Sequence, residues 1–276
     1  MDGVQVTTFD APWKESKKQR EAFNQTRNAE RYYNVQLRKV AKQIGDLTKA
    51  FDPNDQAQLQ TVRKILERYA EILRPWAQAV AGRMLAEVSR RDLTAWMKHS
   101  QAMGISLRNE LMTAPIGHTV QQLMDDQVTL ITSLPLDAAQ RVHDIVVGNL
   151  YGGARAADVA KEIMNTGLVT QARADLIART ETGRAATSLT EARAVHIGSP
   201  GYIWRNSGDY KVRPELGIAH FAQLNTLKMG SHRKLEGTFH KWSEPPIAGT
   251  RGERAHPGCI YNCRCWAEPV YPDKYI

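Results

Sequence analysis

The chain has 276 residues, 37 Lys+Arg against 29 Asp+Glu, a formal charge of +8, and 42% hydrophobic and 24% charged residues. These figures exclude a disordered tail and a membrane protein, and every apolar run falls far short of the roughly 18 residues a span requires. Three cysteines cannot complete a disulfide framework, and Met1 to Pro12 is polar with no apolar centre, so an exported protein is not expected.

Length allows one large or two small domains. Composition changes along the chain. Residues 1–199 hold 5 prolines and 11 glycines, whereas residues 200–276 hold 7 and 8. Both residue types are excluded from helix interiors, so the chain should be helical to about Gly198 and rich in strands and loops after it. All three cysteines, Cys259, Cys263 and Cys265, lie in the last 18 residues. Charge is spread evenly: residues 1–150 carry a net +3 and residues 151–276 a net +5, with no dense basic tail.

Lys14 to Lys49 reads as a long, mainly polar helix, about 50 Å at 1.5 Å per residue, broken by Asp52-Pro53-Asn54. Such a helix suits a packing arm or an oligomer surface. A second helix carries Leu59, Val62, Ile65, Leu66, Tyr69, Ile72 and Leu73 at spacings of three and four. Pro75 should kink or end it, with a further helix over Ala77–Ser100. Helices near Ser106–Met112 and Gly117–Ile131 follow. Ser133-Leu134-Pro135-Leu136-Asp137 reads as a turn, with Asp137 capping a helix that buries Ala138, Val142, Ile145, Val146 and Leu150. Tyr151-Gly152-Gly153 stops it. A short helix over Ala154–Met164 ends at Asn165-Thr166-Gly167, and a long helix rich in small residues covers Val169–His196. Short alternating runs then predict strands at Tyr202–Arg205, Gly237–Trp242 and Cys265–Val270. The expected class is α+β, mainly α: a long N-terminal helical hairpin or bundle, then a small C-terminal domain of helices and short antiparallel strands.

Ile177-Ala178-Arg179-Thr180-Glu181-Thr182, then Trp204, Asp209 and Arg213, then His232-Arg233-Lys234-Leu235-Glu236-Gly237, then His256-Pro257-Gly258-Cys259 with Cys263-Arg264-Cys265 and Ala267-Glu268-Pro269, form an ordered set. The set resembles the phage Mu F-like head morphogenesis family, minor capsid proteins of tailed bacteriophages, over about residues 135–271. Two features depart from the family pattern: Pro214 to Ser231 lengthens the gap before His232, and the cysteines read Cys-x-x-x-Cys-x-Cys where relatives often have a tight Cys-x-Cys. The resemblance divides the chain into a helical arm at 1–134 and a head morphogenesis domain at 135–276, helical to 198 and strand- and loop-rich at 199–276.

Glu181 shares a helix face with Ala185, Ser188 and Ala192. A carboxylate there needs a partner, with Arg184, Arg213 and His232 as candidates. A catalytic glutamate is one reading; the preferred one is a buried ion pair docking the helix onto the strand region. Arg179, on another face, should grip a carbonyl, a carboxylate or a neighbouring subunit. Asp209, Arg213 and His232 form an expected polar network behind Trp204, with Gly237 closing the motif. It could serve acid–base chemistry given a cleft, but structural hydrogen bonding is preferred, since no activated nucleophile, phosphate loop or spaced carboxylate pair is evident. Cys259, Cys263 and Cys265 with His256, or His240 in its place, offer a Cys₃His set for a structural zinc. Buried thiols, or a Cys259–Cys263 or Cys259–Cys265 disulfide in mature particles, are the alternative; a catalytic zinc is disfavoured.

The resemblance implies a virion protein in the capsid interior near the portal, found in the host cytoplasm during assembly. It implies contact with the portal protein and with the major capsid or scaffolding protein, several copies per portal vertex, and a role in procapsid assembly and genome packaging or delivery. No enzymatic activity and no membrane contact are expected. The alternatives are a delivered effector enzyme, ADP-ribosyltransferase-like or nuclease, and a non-specific DNA-binding virion protein, for which net positive charge suffices.

Overall fold

A computed structural model describes residues 26–50, 56–100, 105–152, 156–206, 232–249 and 251–272. Its elements are α1 (Arg27–Lys49), α2 (Gln56–His99), α3 (Ile105–Thr113), α4 (Gly117–Gly152), α5 (Ala156–Met164), α6 (Thr166–His196), β1 (Tyr202–Arg205), α7 (His232–Leu235), β2 (Phe239–His240) and β3 (Trp266–Pro269). The expected mainly helical α+β class is what the chain adopts.

α1 buries Ala29, Tyr33, Leu37, Val40, Ala41, Ile44 and Thr48, a stripe at spacings of three and four. That stripe faces α6, while α2 packs chiefly on α4. α1 and α6 touch where Gly45 meets Gly167; a Cβ added at Gly167 would lie 2.8 Å from the Gly45 Cα, so the absence of side chains permits this approach. On the surface of the same pair, Arg38 grips Asp175 through Nε and Nη2, both at 2.7 Å, and Asn34 donates to the same carboxylate.

The two prolines expected to break helices do not. Pro75 lies inside the 44-residue α2 and Pro135 inside the 36-residue α4. Pro75 is exposed, so the carbonyl one turn back, deprived of its N–H partner, can turn to water. Pro135 is buried, and the preceding turn is rich in hydroxyls. Thr132 Oγ1 donates to the Val128 carbonyl at 2.9 Å, and Ser133 Oγ to the Leu130 carbonyl at 3.0 Å. Asp137 is therefore no N-cap; it pairs with Arg173 at 2.5 Å. The expected division at 134/135 falls within α4, and one core joins residues from both sides, from Ala29 through Leu134 to Leu189.

A second core gathers Ala95, Trp96, Leu107, Leu111, Ala194, Ile197, Tyr202, Trp204, Trp242, Ala248, Cys263, Cys265, Ala267 and Tyr271. The long helices α2 and α6 pass from the first core into the second, so they carry the C-terminal part. There the antiparallel sheet runs β2-β1-β3. Tyr202 pairs with His240 and with Pro269, and Trp204 with Ala267. Alternation turns Tyr202 and Trp204 inward. The expected 237–242 and 265–270 strands are shorter than their sequence runs, at Phe239–His240 and Trp266–Pro269. Among the described residues, no helix is long and apolar enough to cross a membrane.

Candidate functional site

The Cys-rich loop is docked onto α6 by small and polar residues. Gly183 of α6 faces Gly258 so closely that a Cβ added at Gly183 would lie 3.0 Å from the Gly258 carbonyl oxygen. Gly258 has φ +82°, a conformation other residues resist. Thr187 Oγ1 donates to the Pro257 carbonyl at 2.6 Å. Arg179 Nη1 donates to Asn262 Oδ1 at 2.8 Å, and its Nε lies 3.5 Å from Glu30 of α1. The expected gripping role of Arg179 is thus filled within the chain: it holds the loop to the helical body.

Glu181 turns toward the helices and away from the strands. Tyr33 donates its phenol O–H to Gln127 Oε1 at 2.9 Å, and Gln127 Nε2 donates to Glu181 Oε2 at 2.8 Å. Arg184 Nη1 stands 3.5 Å from the same carboxylate oxygen and also pairs with Asp126. Glu181 is buried, but its ionic partner Arg184 lies on α6 itself and is 37% exposed, so no buried ion pair forms there; the hydrogen bonds through Gln127 and Tyr33 tie Glu181 to α4 and α1, not to the strand region. Burial, and then the Glu181 charge, hold the Tyr33 phenol far above its ordinary range. Gln127 carries no charge and no motif, so nothing in the sequence marks it.

A buried ion pair escapes sequence reading. Arg193 of α6 donates through Nε to Asp92 Oδ2 at 2.8 Å, and Thr190 Oγ1 donates to Oδ1 at 2.6 Å. The two side chains are 4% and 3% exposed. Burial raises the Asp92 carboxyl to about 6 against the opposing bonds from Thr190 and Arg193. In the sheet, Arg205 pairs with Glu268 across β1 and β3 and reaches Glu236 at 3.4 Å.

Asp209 and Arg213 lie outside the described residues, as does the 214–231 stretch. Gly237 has φ +77° and donates its N–H to the Trp204 carbonyl at 2.9 Å, so the turn after α7 needs a glycine to close on β1. His232, the first residue of α7, is 3% exposed. Its ring meets Trp204 edge-on at 5.2 Å. Its Nε2 stands 3.0 Å from the Ala248 carbonyl, and its Nδ1 stands 3.4 Å from Cys263 Sγ and 3.5 Å from Cys265 Sγ.

Of the expected zinc set, the structure gathers Cys263 and Cys265, and adds His232. Cys259 and His256 are not in that group. Cys259 Sγ lies 3.9 Å from the Pro257 carbonyl, and burial pushes its thiol up to about 12. His256 Nδ1 meets the Tyr202 hydroxyl at 3.0 Å beside Trp242, and burial depresses its basicity. His240 bonds Thr238 Oγ1 at 2.7 Å. The signal for His232 was present in the sequence: a histidine 31 residues before Cys263, in the turn that packs on the strand bearing Trp204. It was read with Asp209 and Arg213 because those precede it in the motif.

Cys263 Sγ also accepts the backbone N–H of Gly258 and of Cys265, each at 3.4 Å. The Cys265 thiol's hydrogen bond draws Cys263 well below the usual thiol range; burial opposes this, and His232 assists. Cys265, which gives that bond, is raised correspondingly. The two sulfurs thus interact with each other beside an imidazole, all three groups buried.

Residues 140–268 match the family model described as Phage Mu protein F like protein. An uncharacterized protein of Haemophilus influenzae (strain Rd) is 28% identical over 217 residues, covering 76% of this chain and 43% of its own length. The chain thus spans less than half of that relative. No solved structure matches. The match covers α6, most of the sheet, the turn bearing His232 and the Cys-rich loop, and over residues 140–268 the chain is similar to the phage Mu protein F-like family.

Proposed function

We propose that this chain is a head morphogenesis protein of a tailed bacteriophage, a minor capsid component inside the head near the portal. The observation that carries the reading is the family match over residues 140–268, which takes in α6, the turn bearing His232 and the Cys-rich loop. The reading assigns no catalysis to the chain. Arg179 and Glu181, the residues an enzyme reading would use, hold the loop and the helices together. The helical body, with α1 and α2 running along α4 and α6, is the part that meets the portal protein and the major capsid or scaffolding protein. Several copies sit at one portal vertex. The protein enters the procapsid from the host cytoplasm and acts in assembly and in packaging or delivery of the genome. The +8 charge suits a DNA-filled interior, where phosphate attraction needs only net positive surface.

A nonsense mutation in the gene, in the phage or prophage that encodes it, tests the reading. Lysates should contain defective or DNA-free heads, with infectivity restored by the protein supplied in trans. Normal titres and normal heads without the protein would overturn it. DNA contact, if made, should weaken steeply as salt rises.

A further inference from the structure

We propose that His232, Cys263 and Cys265 form a zinc site that locks the Cys-rich loop to the turn before β2. The inference concerns the folded chain and holds whether or not the protein acts in a phage head.

Geometry carries it. Two sulfurs converge on a single ring nitrogen, at 3.4 and 3.5 Å from His232 Nδ1. With Zn–S near 2.3 Å and Zn–N near 2.05 Å, tetrahedral angles place ligand sulfur and nitrogen about 3.6 Å apart. All three donor atoms lie within 4.8 Å of one another, and all three residues are buried.

The surroundings are those of a ligand set. The Ala248 carbonyl, 3.0 Å from Nε2, is placed to accept the Nε2 proton, which leaves the Nδ1 lone pair directed at the sulfurs. Metal-binding histidines are commonly oriented by such a carbonyl. Cys263 Sγ accepts two backbone N–H groups, from Gly258 and Cys265, as a metal-bound thiolate does. Two thiolates and one imidazole select a borderline-soft ion of tetrahedral habit, which is zinc. The three ligands are 3%, 6% and 7% exposed.

The test is elemental analysis of the full-length protein purified without chelators, joined to X-ray absorption at the zinc edge. Equimolar zinc is expected in the wild type and in Cys259→Ser. The absorption spectrum should show two sulfur neighbours completed by nitrogen or oxygen. His232→Ala and Cys263→Ser should each weaken zinc by more than the roughly 10–100-fold that loss of an outer-shell partner costs. Absorption is measured on the wild type, so the site is read even if a ligand variant fails to fold. Three sulfur neighbours, loss of zinc in Cys259→Ser, or full zinc in Cys263→Ser would overturn the assignment. So would folded wild-type protein that takes up no added zinc, or a Cys263–Cys265 disulfide in the native protein.

Discussion

Replacing Asp92 by alanine removes one half of the most deeply buried ion pair described. Arg193 keeps the Leu111 carbonyl and Ser89 Oγ, each at 3.4 Å, but these are neutral partners, and its charge stays in a site where the side chain is 4% exposed. Breaking a buried pair by removing one partner costs about 3–5 kcal/mol, because the remaining charge is left uncompensated. At about 2.1 cal/mol/K per residue, the 276-residue chain has an unfolding entropy near 0.6 kcal/mol/K. A loss of about 4 kcal/mol then lowers Tm by about 7 K. The assay is urea unfolding at pH 7.5, above the Asp92 carboxyl value of about 6, with a thermal scan beside it. The paired variant Asp92→Leu/Arg193→Met fills similar volume without charge and should regain most of the loss. The reasoning fails if Asp92→Ala lies within about 1 kcal/mol of wild type, or if the double variant is no better than the single one. The pair joins α2 to α6 next to Trp96 and Ala194, where the second core begins, so the loss should loosen the sheet region first.

Other consequences can be read from the same contacts. Burial holds the Asp92 proton more tightly in the folded state than in the unfolded chain, so the folded state binds more protons between about pH 4 and 6. Stability from this group is therefore fully present below pH 4 and lost as pH rises toward 6; comparing wild type with Asp92→Asn isolates the slope, and parallel pH profiles would contradict it. Gly167→Ala should cost about 1–3 kcal/mol by overpacking, because the added Cβ lies 2.8 Å from the Gly45 Cα backbone atom. Gly45→Ala, whose nearest contact is 3.4 Å, should be milder, and a reversed order in chemical denaturation would refute the packing argument. Glu181→Gln should cost about 1.5–3 kcal/mol, the range for a hydrogen bond to a charged group. Its partner Gln127 then faces an amide instead of a carboxylate. An unchanged midpoint would leave Glu181 free for another role.

Much of the architecture was legible in the sequence, because periodicity and punctuation report local structure. The Tyr202–Arg205 strand was read at its observed bounds, and the compositional change near Gly198 falls just beyond α6, which ends at His196. Pro75 and Pro135 were misleading because the rule for proline concerns one missing bond, whereas packing along α2 and α4 extends over many turns. Partners far apart in sequence were invisible for a different reason. Asp92 and Arg193 are separated by 101 positions, and neither carries a motif. The site was half legible: the cysteine cluster was visible, but spacing favoured Cys259 with Cys263 over Cys265, His256 was chosen for nearness in sequence, and His232 is the histidine that folding brings to Cys263 and Cys265.

The most direct test of the functional account is mass spectrometry of purified procapsids and mature virions from the phage that encodes the protein. The account predicts peptides of this chain in procapsids at a small fraction of the major capsid protein's abundance, co-purifying with the portal when the particles are dissociated. Absence of the protein from both procapsids and virions, with abundant protein free in the lysate, would contradict it.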